Sequence, residues 1–370
     1  MITVTDLINH AVTFVKNLGE TYDYEFIITD VGLFPYSIKS TNTIVIPKSI
    51  VPLLALANLG GDDILVDYFL SSALISSDLY QEAESRLKKL VEMTYSKLIL
   101  KNYDLHRNVI ITQLIFVILH EKGHLSFDNE KLKDLIIPDL QARIERYIEE
   151  IKCNHDYYAE SAASLVDELR NEYVFLEPQE MLEYSKQYYL DVIETARVKF
   201  TRRLEEFFAD SLAFIIIGGE IDYFRDKLGR SFNLILSIHR VLLLTMAYSM
   251  SESYFMCEQS MDDRISTFAK RRDMHGDTLF SSLRLINISG MLQDFNLYDL
   301  YKEDIDADCK DLDVRIIKFA QKLNLWGFED IIKLYEGNML KPDSTKKSEL
   351  MDYFKTINQN LCASYKIIYQ

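Results

Sequence analysis

A helical pattern runs almost without interruption from about residue 48 to the C-terminus of this chain, which restricts the fold to architectures built largely from helices. The 370 residues include only 12 glycines and 6 prolines, so few positions favour turns or linkers. Residues 79–93, for example, carry apolar side chains at helical spacing with charged side chains between them. This pattern predicts a mainly α-helical protein.

Strand signals occur only in the N-terminal part of the sequence. Residues 24–31 (YEFIITDV) and 41–47 (TNTIVIP) are rich in β-branched and aromatic side chains, which pleated sheets favour. Residues 5–18, which precede them, have the pattern of an amphipathic helix. The sequence therefore predicts a mainly α protein, formally α+β, with a small N-terminal β-sheet and many helices.

Breaks in the helical pattern divide the chain into three predicted regions. Residues 1–104 form an N-terminal α/β part, residues 105–290 a helical core and residues 291–370 a C-terminal helical lobe. An insert of acidic amphipathic helix occupies about 130–200 within the core, and Pro138 is expected to begin one of its helices. The chain is long enough for two or three lobes around a shared core.

The charge of the chain excludes some classes of partner. With 41 basic and 57 acidic side chains, the formal net charge is −16. Nucleic acids and anionic membranes are bound by clustered Lys and Arg, so we expect neither as a partner. The most apolar long stretch, 232–250, contains His239 and Arg240 and is predicted to be a buried helix, not a membrane span.

Two further features indicate a cytoplasmic protein. The cysteines lie far apart without CxxC spacing, which is typical of free thiols in a reducing compartment. They are Cys153, Cys257, Cys309 and Cys362. Residues 1–20 also lack the basic start, the apolar run and the cleavage site of a signal peptide.

The segment 111–127 carries the strongest chemical motif, HEKGH, in an otherwise apolar helix. His120 and His124 are four residues apart, so both imidazoles lie on one helix face and can bind the same metal ion. Glu121 follows the first ligand and can take a proton from water at the remaining coordination position. Gly123 in the helix interior costs about 0.5–1 kcal/mol relative to alanine, which predicts close approach of another segment beside the ion.

A second acidic motif supplies candidates for a third ligand. Glu206 and Asp210 are also four residues apart, on one face of the mostly apolar helix predicted around 203–214. Glu206 is the candidate third metal ligand, and Glu205, one position round the helix, is its competitor. Asp210 can accept a hydrogen bond from the free ring nitrogen of a ligand histidine and so orient the ring.

Together the two motifs resemble those of the gluzincin metallopeptidases, in which HExxH is followed by ExxxD on a second helix. With the strand run 41–47 upstream of the motif helix, the chain is most similar to the Lit-like phage-exclusion peptidases within that family. The resemblance implies a zincin-like catalytic core with one Zn²⁺ per chain, held by His120, His124 and Glu206. It also implies that Glu121 is the general base and that a peptide substrate lies along a free edge of strand 41–47.

The chain departs from the gluzincin pattern downstream of these helices. Some gluzincins carry a His-Pro…Arg motif there, whereas this chain has His275 and Arg284 at a wider spacing and without the proline. The resemblance makes His275 a candidate catalytic residue that stabilises the transition state. Other candidates are His239 with Arg240, which are otherwise a core pair, and three tyrosines. The tyrosines are Tyr223, Tyr248 and Tyr254.

Two functions follow from the sequence as alternatives. In the first, the protein is a zinc-dependent endopeptidase that hydrolyses a peptide bond in a specific protein substrate, with Glu121 as the base. Lit-like proteins act in anti-phage defence, so the resemblance implies that role as well. In the second, the chain is a non-catalytic helical interaction or regulatory protein in which HEKGH binds a structural metal or none. The sequence offers no fourth ligand near either motif, which favours the catalytic alternative because structural zinc has four protein ligands.

Overall fold

The structure is a computed structural model of the chain. It describes residues 2–18, 24–59, 62–76, 80–96, 103–153, 178–228, 238–245, 247–248, 276, 279–292, 344–363 and 365–369. Most of these residues are helical and the strands form two small sheets, which confirms the predicted mainly α fold.

The described ranges contain ten labelled helices and five strands. The helices are Val4–Lys16 (α1), Ile50–Leu59 (α2), Asp62–Ser76 (α3), Tyr80–Ser96 (α4), Tyr103–Ser126 (α5), Glu130–Cys153 (α6), Pro178–Arg202 (α7), Leu204–Gly219 (α8), Ile221–Leu228 (α9) and Ser344–Ala363 (α10). Residues 238–245 and 279–292 are helical as well. The strands are Ile2–Thr3 (β1), Glu25–Thr29 (β2), Tyr36–Ile38 (β3), Thr43–Pro47 (β4) and Ile367–Ile368 (β5).

The predicted N-terminal helix begins with a capping box. The Thr3 hydroxyl accepts a hydrogen bond from the backbone N–H of Asp6 at 3.0 Å, and the Asp6 carboxylate accepts one from the backbone N–H of Thr3 at 2.9 Å. This exchange satisfies two N–H groups at the helix start. Leu7, Ile8 and Ala11 of α1 are fully buried, and the helix packs against α5.

The three-stranded sheet differs from the prediction in a respect that matters for the site. β4 is its central strand, parallel to β2 on one side and antiparallel to β3 on the other. The prediction that strand 41–47 has a free edge is therefore wrong. Every residue of β4 is buried, and a strand that is almost entirely apolar, such as TIVIP, belongs to the interior of a sheet.

β3 is an outer strand of this sheet and packs against α5. It is only three residues long, and no signal in the sequence predicted it. Ser37 lies directly opposite Ile44, which is fully buried, so Ser37 shares the sheet face that is turned to the core. In the part of the chain that the structure describes, the second edge of β3 has no strand partner.

Two helix boundaries depart from the sequence pattern. Pro138 does not begin a helix but lies inside α6. The run that forms α7 and α8 contains no breaker, yet one helix ends and the next begins around Arg203, whose φ and ψ are −116° and 33°. Glu205 and Glu206 consequently lie in the first turn of α8, where negative charge interacts favourably with the helix dipole.

The predicted insert at about 130–200 contains α6 and α7, while its residues 154–177 lie outside the described part of the chain. Leu140 of α6, Ile193 of α7 and Phe207 of α8 belong to one hydrophobic cluster. The insert therefore packs directly on the helix that carries the second acidic motif.

The described C-terminal residues share a hydrophobic core with the N-terminal part. α10 packs against α2 and α4, and β5 pairs in parallel with β1. The Tyr365 hydroxyl donates to the carbonyl oxygen of Ala55 at 2.9 Å, and the Tyr68 hydroxyl donates to Asn358 Oδ1 at 3.1 Å. Residues 293–343 are not among those described, so the division into three regions stays a prediction.

Two findings bear on the predicted environment of the protein. None of the described helices combines the length and the apolarity needed to cross a membrane. Cys153 is an exposed free thiol and Cys362 a buried one, as predicted, whereas Cys257 and Cys309 lie outside the described residues. The cytoplasmic location stays a prediction.

Candidate metal centre

Helices α5 and α8 are in backbone contact at Gly123. A Cβ atom on Gly123 would lie 2.5 Å from Cα and 2.8 Å from Cβ of Ala209, well inside van der Waals contact. The glycine therefore allows the two helices to cross with their motif residues side by side. This is the close approach that the position of Gly123 predicted.

We expect Gly123→Ala to destabilise the protein by about 1–3 kcal/mol, the usual cost of forcing extra atoms into a packed interior. The added methyl group would meet helix backbone, which can give way only if α5 and α8 move apart. Urea unfolding and the metal content of the purified variant are the measurements. Gly219→Ala is the matched control, since no atom lies within 4 Å of its Cβ position. Equal stability of the two variants would contradict the prediction.

Three side chains on these helices, His120, His124 and Glu206, form a group that can hold one metal ion. Nε2 of His120 lies 3.0 Å from Nε2 of His124. The Glu206 carboxylate lies 3.5 Å from the first of these nitrogens and 3.7 Å from the second. Zinc–donor bonds of about 2.0–2.1 Å place tetrahedral donors about 3.3–3.4 Å apart. The 3.5 Å distance is to Oε2 of Glu206 and the 3.7 Å distance is to Oε1, so the carboxylate faces both nitrogens, and one donor atom from each of the three residues can reach a single metal ion.

The second ring nitrogen of each histidine is hydrogen-bonded to a carboxylate. Nδ1 of His120 lies 2.9 Å from Asp210 Oδ1, and Nδ1 of His124 lies 3.0 Å from Glu205 Oε1. A proton on each Nδ1 leaves the Nε2 lone pairs for a metal ion, which is how ligand histidines are usually oriented. Asp210 thus has the contact predicted for it. Glu205, the competing third ligand, lies instead on the outer ring nitrogen of His124.

Arg284, from the helical segment 279–292, completes the buried part of the site. Its Nε and Nη2 donate to the two oxygens of Asp210 at 2.6 Å and 2.9 Å, and its Nη1 lies 3.5 Å from Glu206 Oε2. The Asp210 side chain is 0% exposed and that of Arg284 is 11% exposed. Burial alone would raise the Asp210 pKa, but the Arg284 charge and the hydrogen bond with His120 outweigh it and lower that pKa below its ordinary value. Asp210 is therefore held as a carboxylate.

Glu121 faces the same site from α5 but is not part of the donor group. Only 7% of the residue is exposed, and the Ser37 hydroxyl lies close enough to stabilise the ionised carboxylate. Burial raises the pKa of Glu121 to about 7, although the nearby charge of His120 acts in the opposite direction. A carboxyl group with this pKa can both take and return a proton near neutral pH.

The two histidines differ in their protonation. Burial opposes a charge on His120, but the carboxylates of Asp210 and Glu206 outweigh it and raise the His120 pKa to about 10. Burial and the charge on His120 lower the pKa of His124 below its ordinary value. These opposite shifts favour a proton on His120 over one on His124, and a metal ion that binds Nε2 of His120 must displace that proton.

The remaining candidates have surroundings of a different kind. His239 is buried in a helical segment whose neighbours belong to the main hydrophobic core. Tyr223 and Tyr248 each pack against a phenylalanine ring, with ring centroids 5.4 Å apart. His275 and Tyr254 lie outside the described residues, so the catalytic role of His275 stays a prediction.

Two residues at the site, Ser37 and Lys39, were not predicted. Ser37 lies near Glu121, and Nζ of Lys39 lies 3.0 Å from Glu205 Oε1. Both come from β3 and from the short 3₁₀ turn Lys39–Thr41 that follows it. Strand alternation would have assigned Ser37 to an inward face if β3 had been recognised, but no local pattern marks Lys39.

Comparison of the chain with protein-family models, with curated proteins and with solved structures found no match. The relation to gluzincins is therefore a resemblance carried by the residues of two crossing helices.

Proposed function

We propose that the protein is a zinc-dependent endopeptidase that hydrolyses a peptide bond in a specific protein substrate. The observation that carries the proposal is the convergence of two Nε2 atoms and one carboxylate, from His120, His124 and Glu206, beside the buried acid Glu121. A set of three protein ligands is typical of catalytic zinc, which keeps a position for water or substrate, whereas structural zinc has four.

The charge of the site fits a divalent cation. When Glu121 is ionised, it contributes three negative charges together with Glu206 and Asp210, and Arg284 contributes one positive charge. The net charge of −2 that remains would be balanced by the two positive charges of one zinc ion. Bound zinc supplies Lewis-acid chemistry: it lowers the pKa of water and polarises a carbonyl group.

The residues of the chain have distinct roles in the proposed reaction. Glu121 takes a proton from the attacking water and passes it to the amine that leaves. Ser37 lies near Glu121 and favours the ionised form of that carboxylate, the form that acts as a base. Asp210 and Glu205 keep the ligand rings in the tautomer that presents Nε2 inward.

β3 replaces strand 41–47 as the proposed substrate strand. Its second edge has no strand partner among the described residues, and its Ser37 reaches the proposed base. An extended peptide that pairs with this edge passes close to Glu121. Action on a protein in response to infection follows from the resemblance to Lit-like peptidases, and we propose it on that ground alone.

Elemental analysis tests the metal centre. We expect about one zinc per chain in the wild type and none in the His120→Ala/His124→Ala double variant, which lacks two of the three donors. Glu206→Ala should weaken zinc binding more than Glu205→Ala, whose loss should cost about 10- to 100-fold in affinity as for other residues that orient a ligand. Competition with a chromophoric chelator gives both affinities.

Two outcomes would count against the proposal. Equal effects of Glu206→Ala and Glu205→Ala would remove Glu206 as the third ligand. Wild-type protein without stoichiometric zinc, even after zinc is added back to stripped protein, would favour the alternative of a non-catalytic helical interaction protein.

A further inference from the structure

Each candidate ligand histidine is the innermost of three side chains that are linked in a row by polar contacts, called here a polar chain. The His120 ring nitrogen bonds to Asp210, which is held by the guanidinium of Arg284. The His124 ring nitrogen bonds to Glu205, and the ammonium group of Lys39 lies 3.0 Å from the same Glu205 oxygen. Both polar chains therefore have the order imidazole, carboxylate, cation.

The two polar chains differ in their exposure to solvent. Asp210 is completely buried, whereas the Glu205 side chain is 32% exposed and that of Lys39 is 44% exposed. Because the Asp210 side chain is enclosed by protein, its orientation is restricted by packing. A glutamate as exposed as Glu205 has several rotamers available in water, so its orientation toward His124 depends on its polar partners.

Lys39 has further contacts beside the one with Glu205. It begins the 3₁₀ turn that leads from β3 into β4, and this turn ends at Asn42 in the left-handed conformation, with φ of 51°. The ammonium group also lies 5.6 Å from the centre of the Phe127 ring and 3.9 Å from Asp128. The turn after β3 therefore places the ammonium group of Lys39 on the outer side of the metal centre.

We propose that Lys39 is a positioning residue for the metal centre, which acts through Glu205 to hold the ring of His124 in its ligand orientation. The inference rests on the zinc site of the proposed function and does not require that the site cleaves peptides.

Positioning and simple electrostatics predict opposite results when the charge of Lys39 is removed. A nearby cation repels zinc, so its removal should strengthen zinc binding if charge alone matters. If Lys39 orients Glu205, its removal should weaken zinc binding, because Glu205 is then free to turn away from His124. The sign of the change therefore distinguishes the two.

The experiment compares the zinc affinities of wild type, Lys39→Met and Lys39→Arg by chelator competition. We expect about two- to fivefold weaker binding for Lys39→Met, the size of an exposed ion pair, and recovery in Lys39→Arg, which keeps the charge and the donors. In a Glu205→Gln background, Lys39→Met should not weaken zinc binding further, because the positioning contact is already lost. The visible spectrum of the cobalt-substituted protein should change in Lys39→Met, since it reports ligand geometry.

Lys48→Met is the matched control, because Lys48 lies at the end of the same sheet and pairs with the exposed Asp30 at 3.0 Å. It should bind zinc as the wild type does. Unchanged or tighter binding by Lys39→Met would overturn the role of Lys39 and leave the proposed function intact. Absence of stoichiometric zinc from the wild type would overturn both.

Discussion

Glu121→Gln is expected to bind zinc as the wild type does and to lose hydrolysis by roughly 10²- to 10⁴-fold, the usual contribution of a positioned general base. Zinc content should not change because Glu121 lies outside the donor group. Glutamine has nearly the same shape, but its amide group cannot take a proton from water.

The fold should tolerate this change well. Burial raises the Glu121 pKa from 4.5 to about 7, so ionisation of Glu121 opposes folding once the pH exceeds its ordinary value. The neutral glutamine does not carry this cost. Loss of hydrolysis by a variant that is folded and zinc-loaded therefore reports on proton transfer.

Cleavage can be measured even though the substrate is unidentified. A cell lysate is incubated with each protein, and new protein N-termini are identified by mass spectrometry. Wild type should generate a small set of new N-termini that is absent with Glu121→Gln. Glu130→Gln makes the same chemical change at a side chain that is 78% exposed, and should match the wild type. The same new N-termini from Glu121→Gln would exclude Glu121 as the base.

The donor group could be predicted from the sequence because its geometry is local. Residues four apart on a helix share a face whatever surrounds the helix, so His120 with His124 and Glu206 with Asp210 each form a unit that the sequence displays. Gly123 indicated a helix crossing as well, because glycine destabilises a helix interior relative to alanine unless it allows another segment to approach closely. The pairing of the two helices was a hypothesis, since it rested on the need of the two histidines for a third ligand.

The sheet topology could have been predicted better than it was. The run TIVIP is apolar on both faces, which is the pattern of a strand buried in the middle of a sheet, and β4 is that strand. β3 is different, because three residues carry too little periodicity to be recognised. The strand nearest the proposed base was therefore the one with the weakest signal.

No local sequence pattern predicted the contacts that Lys39 and Arg284 make at the site. Lys39 reaches Glu205, and Arg284 reaches Asp210, only through the packing of distant segments. The start of α8 at Leu204 likewise has no glycine or proline to mark it in the sequence. Charged side chains are common on helices, so composition alone does not say which of them is buried against a ligand.

Arg284→Met should destabilise the protein by about 3–5 kcal/mol, the usual cost of removing one partner of a buried ion pair. Arg284 makes two hydrogen bonds to Asp210, a side chain with 0% exposure, and lies 3.5 Å from Glu206. Without it, Asp210 keeps its charge in a fully buried position, where only His120 is in contact to offset that charge. The measurement is urea unfolding of metal-free protein at neutral pH.

The segment that carries Arg284 should remain docked in the variant, so the loss can be assigned to the charge. Asn287 on the same segment accepts a hydrogen bond from Arg143 at 2.7 Å and donates one to Ser211 at 2.9 Å. Adding Asp210→Asn to Arg284→Met should restore much of the stability, because the unpaired charge is then gone and the amide oxygen still accepts from His120.

Arg197→Met is the control for the loss of an arginine as such. Its side chain is 43% exposed, and its partners Glu145 and Glu194 are 42% and 57% exposed, so solvent replaces the lost contacts and stability should change little. Zinc should recover part of the stability of Arg284→Met, since the ion supplies the positive charge that the site then lacks. If Arg284→Met and Arg197→Met unfolded at the same urea concentration, the guanidinium would not be what holds the buried carboxylates, and the charge balance proposed for the zinc site would be wrong.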